Sequence, residues 1–96
     1  MIIKQTDEYQ RWFHKLKDYI ARAAIARRME SIDLNNHLGD YKVINDSILE
    51  LRIHCGAGYR IYCTLREDEI VLLLCGGNKT SQKADIERAK KLAKEV

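Results

Sequence analysis

The sequence predicts an α+β domain in which two N-terminal helices pack on a curled antiparallel sheet, with a C-terminal helix after it. Three observations predict this. Apolar residues recur every three or four positions from Tyr9 to Ile32, alternate with polar ones from Leu49 to Arg66, and return to the helical spacing after Thr80. With 96 residues there is room for one core, so a single domain is expected over 1–96.

Ile2 and Ile3 begin a short strand. Thr6 then offers an N-cap hydroxyl, and Asp7 and Glu8 place negative charge at a helix start. Tyr9, Trp12, Phe13, Leu16 and Ile20 form one apolar stripe, leaving Glu8, Arg11, Lys15 and Asp18 to water. A turn near Asp18 separates this from a second helix, Tyr19 to about Leu34, which has no Gly or Pro. Its apolar face is Ala21, Ala24, Ile25, Met29 and Ile32, while Arg22, Arg27 and Arg28 read as a solvated face.

Asn35, Asn36 and Gly39 stop the helices, and the period changes to two: a strand Tyr41 to Ile44, an Asn45-Asp46 turn, and a strand Ile48 to His54. Leu49, Leu51 and Ile53 face one way and Glu50, Arg52 and His54 the other. After the Gly56-Ala57-Gly58 turn, Tyr59, Ile61, Cys63 and Leu65 alternate with Arg60, Tyr62, Thr64 and Arg66. A one-residue slip would put one strand's apolar set on the other's polar face, so the register pairs Ile53 with Tyr59 and Leu51 with Ile61. It also sets Arg52 across from Arg60 and Glu50 across from Tyr62. Like charges directly opposite destabilise a hairpin unless something anionic sits between them. Ile70 to Leu74 is an unbroken apolar run, as in a strand buried under helices, and Gly76-Gly77 ends it. Thr80 or Ser81 caps the last helix, with Ile86, Ala89, Ala93 and Val96 along one side and Lys83, Lys90, Lys91 and Lys94 along the other.

Composition narrows the function classes. No apolar run approaches the ~20 residues of a membrane span, and the start turns charged too early for a secretory signal, so a cytoplasmic protein without membrane contact is expected. Cys55, Cys63 and Cys75 are odd in number and lack C-x-x-C spacing, which argues against a disulfide framework or a zinc site. His14 and His37 are too isolated to hold a metal, and Gly76 to Thr80 lacks the GxxxxGK(S/T) spacing of a phosphate loop. The net charge of +3 is spread almost evenly over both halves. Locally it is not even, because Leu51 to Arg66 carries Arg52, His54, Arg60 and Arg66 with no acid among them.

The stretches Leu51-Arg52-Ile53-His54, Gly56-Ala57-Gly58-Tyr59-Arg60-Ile61-Tyr62 and Leu72-Leu73-Leu74-Cys75-Gly76-Gly77-Asn78-Lys79, in this order of elements, resemble the RelE/ParE toxin superfamily in its HigB-like addiction module killer protein (phage Gp49-like) branch. The resemblance covers nearly the whole chain. It implies a RelE-like fold and a bacterial type II toxin, neutralised by a cognate helix-turn-helix antitoxin that represses the shared operon, so that operator DNA is met only through the antitoxin. Most such relatives cut mRNA in the ribosomal A site, whereas ParE-like members inhibit DNA gyrase on the same fold. The chain departs from the branch's pattern in having Ala57 where Pro is expected in the turn, and Cys55 and Cys63 where aromatic residues are usual. It also has no histidine after His54, so no C-terminal catalytic histidine can be carried over.

Metal-independent RNA cleavage uses the ribose 2′-hydroxyl against its adjacent phosphate and needs proton transfer and anion stabilisation, with no cofactor. His54 is the candidate for proton transfer, its pKa expected to be held low by neighbouring arginines. Arg52 and Arg60 are candidates for a bidentate phosphate clamp. Tyr62 would stack on a base or share in proton transfer. Lys79, after two glycines at a strand end, and Arg66 complete the set as RNA-binding residues. Each has a plainer reading: His54 as an exposed strand residue, Arg52 and Arg60 as partners of Glu50 or Glu69, Tyr62 as cover for the sheet. The resemblance leaves two further outcomes, a gyrase inhibitor and a catalytically degenerate antitoxin-binding module.

Overall fold

The N-terminal strand β1 (Ile2–Gln5) runs into Thr6, whose hydroxyl accepts the Tyr9 amide at 3.1 Å and so caps helix α1 (Asp7–Lys15) as its position predicts. The structure, a computed structural model, describes residues 1–96. Leu16 turns extended, and the Asp18 carboxylate caps a second helix, α2 (Tyr19–Asn35), at the Ala21 amide, 3.0 Å away. This break is what removes Ile20 from the expected stripe. It belongs to α2 rather than α1, and it points to solvent.

Strands β2 (Tyr41–Asn45), β3 (Ile48–Ile53), β4 (Tyr59–Arg66) and β5 (Ile70–Gly77) follow, then a 3-10 turn (Lys79–Ser81) and helix α3 (Gln82–Glu95). The sheet is open, in the order β1-β5-β4-β3-β2. Its four main strands are antiparallel as expected, but β1 joins β5 in parallel, so the sheet is mixed. The β3–β4 register is the predicted one, with Ile53 opposite Tyr59, Leu51 opposite Ile61, Arg52 opposite Arg60 and Glu50 opposite Tyr62. The β2–β3 turn falls one residue later than expected, at Asp46-Ser47, because the Asn45 side chain closes it on the Ser47 amide at 2.8 Å.

Helices cover both faces. On one, α1 and α2 lay Tyr9, Ile25 and Ile32 on Leu51, Ile53, Ile61, Cys63, Val71 and Leu73. On the other, α3 lays Ala89 on Ile48, Tyr62, Leu74 and Cys75. Leu74 and Cys75, though consecutive, both face α3, because the β4–β5 register shifts between Tyr62 and Cys63 and leaves Leu74 as a bulge. Gly76 and Gly77 continue β5 instead of ending it. A side chain at Gly76 would meet the Trp12 ring, and one at Gly77 would overlap the Asp85 carboxylate, so these two positions are where α1 and α3 come closest to the strand. Val96, expected on the inner side of the last helix, lies past its end and is exposed.

Candidate RNA-binding site

The polar side of the β3–β4 hairpin lies under and beside the start of α3. At its centre is Glu50, only 1% exposed. Its Oε2 accepts the Tyr62 hydroxyl at 3.1 Å and the Gln82 amide Nε2 of α3 at 2.8 Å. Its Oε1 lies 3.6 Å from Arg52 Nε and 3.8 Å from Arg60 Nε. Neither Nε is close enough for a hydrogen bond, and both are buried without any other partner. The carboxylate therefore sits between the two guanidinium groups that the strand register brings together. It supplies the anion that such a pairing demands, and of the two acids named as alternatives for these arginines it is Glu50, not Glu69, that takes the place.

The arginines reach outward from this anchor. Their side chains are 35% exposed for Arg52 and 16% for Arg60, and Arg60 Nη1 donates to the Gly58 carbonyl at 2.7 Å, which turns the guanidinium toward the hairpin loop. That loop, with His54, Cys55 and Lys79, lines an open recess of about 500 Å³. The Lys79 amide donates to Ala57 O at 3.4 Å, tying the end of β5 to the hairpin turn. Asn78 fixes the following turn through its side chain, which accepts the Thr80 amide at 2.9 Å and the Ser81 amide at 3.2 Å. Thus Arg52, Arg60, His54 and Lys79 gather at one end of the sheet.

His54 lies just past the end of β3 and is 72% exposed. Its closest neighbour is a carboxylate: Nε2 donates to Asp40 Oδ2. This hydrogen bond is the main reason the Asp40 carboxyl is held below the usual carboxylate range, helped by the positive charges of His54, Arg52 and Arg28. Asp40 arrives there by register, since it precedes β2 and its carbonyl accepts the Arg52 amide at 3.0 Å. Arg28 of α2 braces the corner by donating to Leu38 O at 2.9 Å and to Arg52 O. Tyr62 faces the same side of the sheet but is fully buried beneath α3, where burial and the neighbouring Glu50 raise its phenol above the ordinary value. Arg66 is exposed at the opposite end of β4, six residues from Arg60 and so roughly 20 Å away.

Asp40 and Gln82 are the site residues that sequence reasoning passed over, and Glu50, named there only as one possible partner of the arginines, proves to be the centre of the site. Glu50 has a legible signal, being the acid on the same strand face as Arg52 and beside the Arg52–Arg60 pair. Asp40 is legible only once the β2–β3 register is known, and Gln82 carries no signal because its position depends on how α3 crosses the sheet.

Comparison with known proteins places the chain. The family model Phage derived protein Gp49-like (DUF891) matches residues 11–95. The chain belongs to the Gp49-like family. This is a family of RelE-like toxins, so the RelE/ParE resemblance read from the hairpin and β5 motifs holds. A relative, an uncharacterized protein of Haemophilus influenzae, is 45% identical over 94 residues, which is 98% of this chain and 94% of that protein. Among solved structures, the Gp49-like chain is similar to a double arginine-to-alanine variant of E. coli toxin RelE in the free state, with a TM-score of 0.67 and 12% identity over 94% of this chain and 95% of that one. It is also similar to a chain of the intact E. coli RelBE toxin-antitoxin complex, with a TM-score of 0.64 and 11% identity over 80% of this chain and 94% of that one. These likenesses establish the RelE fold. No helix is long and apolar enough to cross a membrane.

Proposed function

We propose that this Gp49-like chain is the toxin of a type II toxin–antitoxin module and cleaves mRNA in the ribosomal A site, with a cognate helix-turn-helix antitoxin as its partner. The observation that carries the reading is the convergence of Arg52 and Arg60 on one carboxylate, with His54 and Lys79 lining the adjoining open recess. Two guanidinium groups held beside one buried carboxylate, with their Nε atoms buried, are already oriented, so they lose little freedom on meeting a phosphodiester. Their outer nitrogens would hold the non-bridging oxygens as negative charge grows on them. His54, exposed and oriented by Asp40, moves a proton while the 2′-oxygen bonds to phosphorus and the 5′-oxygen leaves, giving a 2′,3′-cyclic phosphate and a free 5′-hydroxyl. Lys79 steers the backbone, Tyr62 acts through Glu50, and Arg66 at the far end of β4 contacts more distant phosphate. No metal enters this scheme. The likeness to the RelBE complex supports the antitoxin partner.

The test is to induce the chain alone in a bacterium, map RNA ends on translated messages, and assay DNA supercoiling in parallel. Codon-phased cuts are expected, and Arg52→Ala or Arg60→Ala removes them and the growth arrest while leaving a folded protein that still binds its antitoxin. Full toxicity in both variants overturns the site, and lost supercoiling without RNA cuts points to gyrase instead. The burial of Tyr62 and the neutralising Glu50 favour one second reading, a catalytically degenerate module kept for antitoxin binding. Such a chain is harmless when induced alone yet binds its antitoxin tightly.

A further inference from the structure

The outermost strand of the open sheet, β2, is bonded on one side only. Arg52 donates its amide to the Asp40 carbonyl at 3.0 Å, and bonded pairs alternate with unbonded ones along an antiparallel ladder, so Lys42 is the next residue to bond to β3. Tyr41 and Val43 therefore turn their N–H and C=O groups outward. Their side chains are 46% and 60% exposed, although both belong to a strand. The opposite edge of the sheet is not left open in this way, since the end of α2 lies beside it and takes the Met1 ammonium on the Asp33 carbonyl and the Asn36 side chain.

The two sides of this edge differ in chemistry. Tyr41 and Val43 pair with Leu51 and Leu49, and so stand on the side covered by α1 and α2. There Val43, Leu49 and Leu65 line an apolar recess of about 310 Å³ with Asp46 and Asp68 at its rim. Lys42 pairs with Glu50 and stands on the α3 side, exposed and without an ion pair. At the turn end of that side Lys90 and Lys94 line a second recess of about 300 Å³. Outward backbone groups fit an extended chain, the recess beside Val43 fits apolar side chains on one of its faces, and the lysines fit acidic ones on the other. A second copy of β2 does not match this. Joining Tyr41 to Val43 of the other strand sets the two Lys42 opposite each other, and joining Tyr41 to Tyr41 offers Lys42 only an Asp40 already held by His54. We propose that the β2 edge is a docking site for an extended segment of a partner protein, apolar at alternate positions and acidic between them, which adds to the sheet as a further strand. No residue of the Arg52–Arg60 site is required.

Titrating the purified full chain with a capped synthetic peptide of about eight residues alternating Val and Glu tests this, read by amide shifts in NMR. Binding with a Kd between roughly 1 µM and 1 mM is expected, with the shifts concentrated on β2. A Val and Lys peptide of the same length binds about tenfold or more weakly, and Lys42→Glu reverses that preference. Val43→Pro removes an outward N–H without touching the ladder to β3, and weakens binding of the Val and Glu peptide by about tenfold. Lys42→Glu changes only an exposed side chain, so it decides the matter even if the proline variant unfolds. No shifts up to about 1 mM peptide overturn the proposal, as do equal affinities for the two peptides, an unchanged preference in Lys42→Glu, or shifts centred away from β2. A wild-type mass that doubles with concentration in sedimentation, and no longer does so in Lys42→Glu, gives the edge to a second copy and overturns it too.

Discussion

Replacing Glu50 with Gln tests the electrostatic account of the site most directly, because it removes one charge and almost no volume. A glutamine can keep the Tyr62 and Gln82 hydrogen bonds through its oxygen, so the loss isolates what the carboxylate does for Arg52 and Arg60. Those two residues are directly opposite on β3 and β4. With guanidinium centres about 7 Å apart and an effective dielectric near 20, their mutual repulsion is about 2 kcal/mol once the intervening anion is gone. Loss of the attraction to Glu50 adds to this, discounted because Arg52 is about one-third exposed and screened by water. We expect Glu50→Gln to cost about 2 to 4 kcal/mol, or a fall in Tm of roughly 10 °C or more for a domain of this size. The assay is thermal and urea unfolding followed by circular dichroism. Phosphate or a short RNA oligonucleotide should then raise the Tm of Glu50→Gln more than that of wild type, since the variant's guanidinium pair lacks its own anion. A variant within about 0.5 kcal/mol of wild type would refute the reasoning, because surface-like tolerance means that the carboxylate holds nothing.

Three further outcomes follow from neighbouring contacts. Cys63 and Cys75 are fully buried, with burial pushing their thiols up to about 12 and about 11, whereas Cys55 is partly exposed at the recess. A thiol reagent at pH 8 should therefore modify Cys55 alone in the native protein and all three after unfolding. Asp40 should titrate below an ordinary aspartate by NMR and move back up in His54→Ala. Because its folded pKa is depressed, the stability it contributes is present above the unfolded value and is lost as pH falls through the folded one. In Gly77→Ala the new methyl collides with Asp85, which also accepts from Ser81 at 2.5 Å and pairs with Arg88 at 2.8 Å, so the variant should lose about 3 kcal/mol and loosen α3 first, seen as faster amide exchange there.

The parts of the molecule that were legible in the sequence are those in which one periodicity decides the answer. Leu51, Ile53, Ile61 and Cys63 must share a face, so the hairpin register followed from them, and with it the Arg52–Arg60 pair. Thr6 announced the first helix start through cap chemistry alone, whereas the cap role of Asp18 emerged only in the structure. What stayed illegible depends on contacts between distant segments. Ile20 has the right spacing for the α1 stripe, and only the extended turn at Leu16 reassigns it. Nothing local distinguishes Gly76-Gly77 as a strand rather than its end, since the reason lies in Trp12 and Asp85. The fate of Tyr62 was hidden in the same way. Its alternation with Arg60 places it on the polar face, but whether that face is open or covered at Tyr62 depends on where α3 crosses.

That crossing explains how one sheet face can be both a core and an open polar surface. Toward the β3–β4 turn the face is free, and there the chain places Arg52, Arg60, His54 and Lys79. Toward the middle it is sealed by α3, and there it places Ile48, Tyr62, Leu74 and Cys75. Glu50 stands at the boundary between the two, and its hydrogen bonds run inward to Tyr62 and Gln82 while its charge acts outward on the arginines. A buried carboxylate with no cationic partner would be costly, and two unpaired arginines side by side would repel. Each therefore permits the other. The guanidinium groups are thus oriented by an anion that is part of the strand itself, which is the arrangement the proposed phosphodiester contact requires.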